Sequence, residues 1–242
     1  WSGLVQFLYG FDKKNYNIFK IMEVTAVIKR SVKILIIGCF ISANIYAESR
    51  IDIGLFSEQN VEGWKQKKFA GETRYSLQQI NNQFVLASKS DQSASAFYKK
   101  IKVNLDETPF LNWSWSKQLT IDPGNEADKK GDDFVARLYV IKDGGLLFWK
   151  TLVVNYVWSF QHSIDESWDN PFAGSNVKMV SQRDASSLEK TWLVEKRNVQ
   201  QDFMNLMGEK IDQIDGVAIM TDSDNSALKA EALYGDIYFT AE

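Results

Sequence analysis

The stretch PFLNWSWSKQ, residues 109–118, decides how this chain folds. Leu111, Trp113 and Trp115 alternate with Asn112, Ser114 and Ser116. Successive side chains of a strand point to opposite sides, so this alternation predicts a strand with one apolar face. The two tryptophans could form an exposed platform for a sugar or part of a dry core. Leu111 shares their face. Phe134, Leu138, Tyr156 and Trp158 offer matching faces on other predicted strands. A core between two sheets is therefore expected for both tryptophans, with Asn112 and Ser114 turned away from it.

Period-two runs recur on both sides of this stretch. Residues 83–88, 96–103, 133–141, 148–159, 176–182, 191–197, 216–222 and 235–241 all read as strands, separated by turn-forming stretches such as DPGNEADKKGD and DNPFAGS. EGWKQKKFAGETRY, 62–75, reads as a loop followed by a strand. One helix interrupts the pattern. Asn198 is placed to cap it with Gln201 at the third position, Val199, Phe203, Leu206 and Met207 follow helical spacing, and Gly208 ends it. The fold class that follows is all-β: an antiparallel two-sheet jelly-roll sandwich with one short helix.

The first 47 residues have a different character. From Met22, a basic segment with Lys29, Arg30 and Lys33 precedes an apolar run from Ile34 to Ile45 and then IYA-ES. That is the pattern of a secretory signal peptide over 22–47, with residues 1–21 an upstream extension foreign to the fold and 48–242 a single domain. The run is shorter than the roughly 20 apolar residues of a spanning helix, so stable membrane insertion is not expected. Cys39 is the only cysteine and lies inside this run. The run continues past it, which speaks against lipid anchoring there. Cleavage after Ala47 leaves no thiol for disulfides, nucleophilic catalysis or metal binding. Residues 1–47 carry 6 of the 28 basic and 2 of the 31 acidic residues, so the remainder has 22 against 29, a net charge of −7. An acidic secreted domain is a poor partner for nucleic acid.

Sorting side chains by strand face isolates a candidate site. Arg137, Tyr139, Asn155, Glu195 and Arg197 fall on mixed faces among apolar neighbours. Burying a charge without a partner costs several kcal/mol. They therefore form either a polar ligand-binding floor on a concave sheet or a solvated outer face with Arg137 paired to Glu195 or Asp133. Asp222, Asp224 and Asn225 offer hard oxygen ligands for a structural Ca²⁺ at the rim, or simply an Asx-type loop. They do not make an EF-hand, since Ala227 and Leu233 stand where that loop needs Gly and Glu. A single histidine, His162, rules out a polyhistidine metal site, and no nucleophile-elbow motif accompanies it. Paired acids such as Asp132 with Asp133 keep a glycosidase-like hydrolase open if two carboxyls face each other across a cleft.

Six segments in order, FLNWSWS, GDDFVARLYV, VVNYVWS, WDNPF, EKRNVQQDF and GVAIMTDSDN…YGDIYF, together resemble a bacterial secreted family known as domain of unknown function 3047. The resemblance spans residues 55–241 and implies a secreted envelope protein with no assigned activity or catalytic residues. The ending YGDIYF is also similar to the last strand of galactose-binding-like jelly rolls, which often bind sugars and a structural Ca²⁺. The expectation is a periplasmic or secreted, non-catalytic domain that binds a glycan or another polar envelope component. A carboxylate-dependent hydrolase and a purely structural envelope protein are the alternatives.

Overall fold

The structure, a computed structural model, describes residues 49–242. The expected extension at 1–21, the expected signal peptide at 22–47 and Cys39 lie outside the described residues. Fourteen strands build two seven-stranded sheets among the described residues.

The first sheet contains β1 (Arg50–Gly54), β3 (Arg74–Ile80), β4 (Gln83–Asp91), β6 (Phe110–Lys117), β11 (Leu193–Asn198), β13 (Lys229–Tyr234) and β14 (Ile237–Thr240). The opening stretch supplies β6, the centre of this sheet. β11 pairs along one of its edges, with Glu195 opposite Trp113. β13 and β14 lie end to end along the other, with Tyr234 opposite Trp115 and Tyr238 opposite Asn112. β4 then flanks β13, β3 flanks β4, and β1 pairs with β14.

The second sheet runs β2 (Trp64–Ala70), β5 (Ala94–Asn104), β12 (Gln213–Met220), β7 (Arg137–Lys142), β8 (Leu152–Trp158), β10 (Gly174–Arg183) and β9 (Ser167–Asn170). Every pairing in both sheets is antiparallel except that of β8 with β10, which is parallel. The chain leaves β8, turns back as the short β9 and reverses again into β10, so β10 re-enters beside β8 in the same direction.

The main core lies between the sheets. Leu111, Trp113 and Trp115 are fully buried in it, together with Leu138, Val140, Val154, Tyr156, Trp158, Val217 and Ile219. Trp113 meets Trp115 edge-on at 5.5 Å and packs against Tyr156 at 5.4 Å, while Trp115 packs against Trp158 at 5.6 Å. Tilted and edge-on geometries suit the quadrupoles of aromatic rings. The tryptophans of the opening stretch are core residues. Helix α1 (Val199–Met207) follows β11, with Asn198 Oδ1 accepting from the Gln201 N–H at 3.0 Å and Gly208 at φ 71° closing the far end. It buries Val199 and Phe203 in the same core. None of the described helices is long and apolar enough to cross a membrane.

Three readings of the sequence need correction. Residues 133–136 precede β7 and are not part of it, because Asp133 folds back to hold residues 225 and 226. This breaks the alternation: Phe134 joins a second apolar cluster, while Ala136, Leu138 and Val140 join the main core. Residues 62–75, read as a loop followed by one strand, hold β2 and the start of β3; β2 is an edge strand whose exposed Lys65, Lys67 and Lys68 hide its period. Residues 169 and 170, read as the start of the DNPFAGS turn, belong to β9, which is only four residues long.

Candidate functional site

Arg137 opens β7 and is completely buried. Its guanidinium donates to both carboxylate oxygens of Asp222, through Nε to Oδ1 at 2.8 Å and through Nη2 to Oδ2. It also donates to Asp132, through Nη1 to Oδ1 at 3.1 Å and through Nη2 to the backbone carbonyl. Both partners are buried as well. Burial pushes Asp132 up to about 6 against the opposing pull of Arg137, and pushes Asp222 well above the usual carboxylate range. Burial alone would lower Arg137, but the two aspartates reverse this and hold it firmly charged. The partners differ from Glu195 and Asp133, the ones anticipated from strand faces.

The five floor candidates do not assemble. Glu195 sits on β11 in the first sheet, buried, and its carboxylate joins the two sheets. Oε1 accepts from Trp115 Nε1 at 2.8 Å and Arg183 Nε at 2.6 Å, while Oε2 accepts from Gln182 Nε2 at 2.7 Å and Arg183 Nη2 at 2.8 Å. Arg197, also on β11, forms a two-pronged pair with Asp202 of α1 at 3.0 and 2.9 Å and reaches Asp165 at 2.6 Å. Both side chains lock elements together. Tyr139 and Asn155 stay with Arg137, on the face of the second sheet that points away from the first.

That face carries an ordered transverse row. Strand register places Lys65, Tyr98, Ala218, Tyr139, Asn155, Met179 and Trp168 directly opposite one another across β2, β5, β12, β7, β8, β10 and β9. Neighbouring strands are about 4.8 Å apart, so the rings of Tyr98, Tyr139 and Trp168 stand two and three strand spacings from one another. Ala218 is the small residue between Tyr98 and Tyr139. His162 stacks on Trp168 at 3.8 Å and 18°. Tyr139 and Asn155 in the middle are buried, and Tyr98 and Trp168 are half-buried. Three side-chain atoms of this set have no hydrogen-bond partner: Asn155 Oδ1, Trp168 Nε1 and His162 Nε2. Asn155 Nδ2 and Tyr139 Oη reach only the sulfurs of Met179, at 3.3 Å, and Met220, at 3.6 Å, which are weak acceptors. A buried polar atom left unsatisfied costs about 1–3 kcal/mol and calls for an explanation.

Residues 62–238 match the family model described as "Protein of unknown function (DUF3047)". The chain belongs to this family. The DUF3047 match begins just before β2 and ends within β14, so it takes in the second sheet and all of the first but β1 and the end of β14. The DUF3047 fold is similar to that of a thermostable cellulase derived from Cel12A of Rhodothermus marinus, at 9% identity and TM-score 0.46, over 79% of this chain and 100% of that one. It is similar to the family 11 carbohydrate-binding module of cellulase Lic26A-Cel5E of Clostridium thermocellum, at 8% identity and TM-score 0.42, over 81% and 95%. A third similar structure is the xylan-binding module CBM15, at 12% identity and TM-score 0.36, over 80% and 97%. No curated protein matches the chain.

The acids of this DUF3047 domain meet near Arg137. Asp133, Asp222 and Asp224 bring carboxylate oxygens within 4.8 Å of one another, close enough to hold a metal ion. Asn225 turns its amide nitrogen toward Asp133 Oδ1, at 3.1 Å. Asp133 Oδ2 accepts from the Ser226 N–H and Oγ, both at 2.6 Å, and Asp222 already receives Arg137. Ca²⁺ seeks six to eight oxygen ligands, and these donors compete for the same lone pairs. Glu195 lies in the other sheet and takes no part in the cluster. Sequence reasoning missed Tyr98 and Trp168. Their strands were read, in the first case, without regard to register and, in the second, not at all.

Proposed function

We propose that this protein is a secreted or periplasmic, non-catalytic β-sandwich that binds a glycan on the outer face of its second sheet. The observation that carries the reading is the transverse row, in which two half-buried rings, Tyr98 and Trp168, flank buried Tyr139 and Asn155, with unpartnered polar atoms on Trp168 and on His162 stacked against it. A pyranose has an apolar face that stacks on an aromatic ring and a rim of hydroxyls that both donate and accept. Hydroxyls are the complement that Trp168 Nε1 and His162 Nε2, at the half-buried end of the row, lack. Tyr98 and Trp168, half-buried at the two sides, are where a sugar would first engage. Arg137 serves the reading indirectly, by fixing the start of β7, and the reading needs no metal ion. Secretion is proposed from the leader pattern alone.

The test is a glycan array followed by calorimetry on the purified protein. Trp168→Ala is expected to weaken the best-bound sugar at least tenfold, about 1.4 kcal/mol, with Arg137-dependent stability unchanged. An unaltered binding profile in both Trp168→Ala and Tyr98→Ala would refute this site.

A further inference from the structure

The turn between β7 and β8 presents a second aromatic surface that the transverse row does not use. Trp149 is 54% exposed and Leu147 41% exposed on this turn. Exposed apolar side chains on a loose loop would mean little, but this turn is built. Asp215 Oδ2 receives Lys142 Nζ at 3.1 Å and the Asp143 N–H at 3.0 Å. The Gly145 N–H donates to Asp143 Oδ1 at 2.9 Å, and the Gly144 N–H to Thr151 Oγ1 at 3.1 Å. The Lys150 N–H donates to the Leu147 carbonyl at 2.7 Å, and Asn176 Nδ2 to the Trp149 carbonyl at 2.7 Å. A Cβ on Gly144 would run into the Leu147 carbonyl, so the turn's geometry depends on that glycine.

Beside Trp149 lies a groove of about 500 Å³, lined by Lys142, Asp143, Lys150, Asn176 and Glu209. Ligand pockets run from roughly 300 to 1,000 Å³. The lining mixes an indole with carboxylates, ammonium groups and an amide. An apolar partner would cover the indole but take water from the charged groups of Asp143, Lys150 and Glu209, at a desolvation cost. A sugar ring satisfies both, stacking on the indole and sharing its hydroxyls with Asp143, Glu209 and Lys150. We infer that this groove is a second glycan subsite, one that takes a single pyranose unit against Trp149. The inference rests on the glycan reading above and adds a site to it. Lys142, Leu152 and Asn176 are each three residues along their strands from the row at Tyr139, Asn155 and Met179, roughly 10 Å away. Substitutions at that separation act independently.

The experiment compares wild type, Trp149→Ala, Trp149→Phe and Trp168→Ala on an array of bacterial-envelope oligosaccharides and on phosphatidylglycerol vesicles. Trp149→Ala is expected to bind at least one recognised sugar tenfold more weakly, with Trp149→Phe retaining part of the affinity. If Trp168→Ala weakens sugar binding and Trp149→Ala does not, the groove is refuted and the glycan reading stands. If wild type binds no sugar, both fail. If Trp149→Ala changes only vesicle binding, the turn is a lipid contact and the inference is overturned.

Discussion

Replacing Arg137 with methionine tests whether this side chain is a ligand arm or an internal clamp. The substitution removes all the hydrogen bonds that Arg137 gives to Asp222 and Asp132 and leaves two carboxyl groups at zero exposure. Breaking a buried ion pair by removing one partner costs about 3–5 kcal/mol. In a domain of roughly 200 residues each kcal/mol moves Tm by about 2–4 °C, so a fall of about 6–20 °C is expected. The pH dependence gives the sharper signature. Asp132, raised by burial to about 6 in the folded protein, binds its proton more tightly there than in the unfolded chain. Its contribution to stability is therefore fully present below the unfolded carboxylate value and is lost as pH rises through about 6. Asp222, also raised by burial, acts in the same sense. Without the guanidinium the attraction that opposes both shifts disappears, so the loss extends to higher pH. Thermal melts should show the Arg137→Met deficit largest at pH 8 and smaller at pH 5, with Arg137→Met/Asp132→Asn/Asp222→Asn recovering most of it at pH 8. A variant within 1 kcal/mol of wild type at pH 8, or a deficit that ignores pH, would refute the clamp.

Two further substitutions probe the joints of the sandwich. Glu195→Gln turns an amide N–H₂ toward donors from Trp115, Gln182 or Arg183; with Arg183 partly hydrated, a loss of about 2–3 kcal/mol is expected, and denaturant titration with the Trp115 indole N–H shift as a second probe would reveal it. A Cβ on Gly235 would collide with Ser114 Oγ where β13 passes into β14; Gly235→Ala should cost about 1–3 kcal/mol, and Ser114→Ala in the same chain should restore most of it, so equal losses in the single and double variants would contradict the steric reading.

Much of the fold was legible because alternation survives wherever one face is buried and the other is not. β6 is the clearest instance, and the cap at Asn198 with its partner Gln201 was legible from three positions of sequence. Alternation failed where an edge strand is charged on both sides, as in β2, and where a strand spans four residues, as in β9. It also failed at residues 133–136, where the side chain of Asp133 serves a turn more than 90 residues ahead. The candidate site was legible only in part. Tyr139 and Asn155 could be placed on one face from β7 and β8 alone, but their alignment with Tyr98 and Trp168 depends on register across seven strands, which one sequence does not encode locally. Glu195 and Arg197 were assigned to the same floor because their strand has the same mixed pattern; nothing in that pattern says which sheet a strand joins.

The pairing of β1 with β14 sets a condition on when this protein can finish folding. Arg50 lies opposite Thr240, and β13 must fill the space between β6 and β4. Until residues 229–240 dock, the chain lacks the strands that join β6 to β4 and to β1. The first sheet then consists of fragments with open edges, and the aromatic core has only part of one wall. Contacts this distant in sequence form slowly. Completion of the first sheet is therefore a late event in folding, one that waits on the docking of β13 and β14.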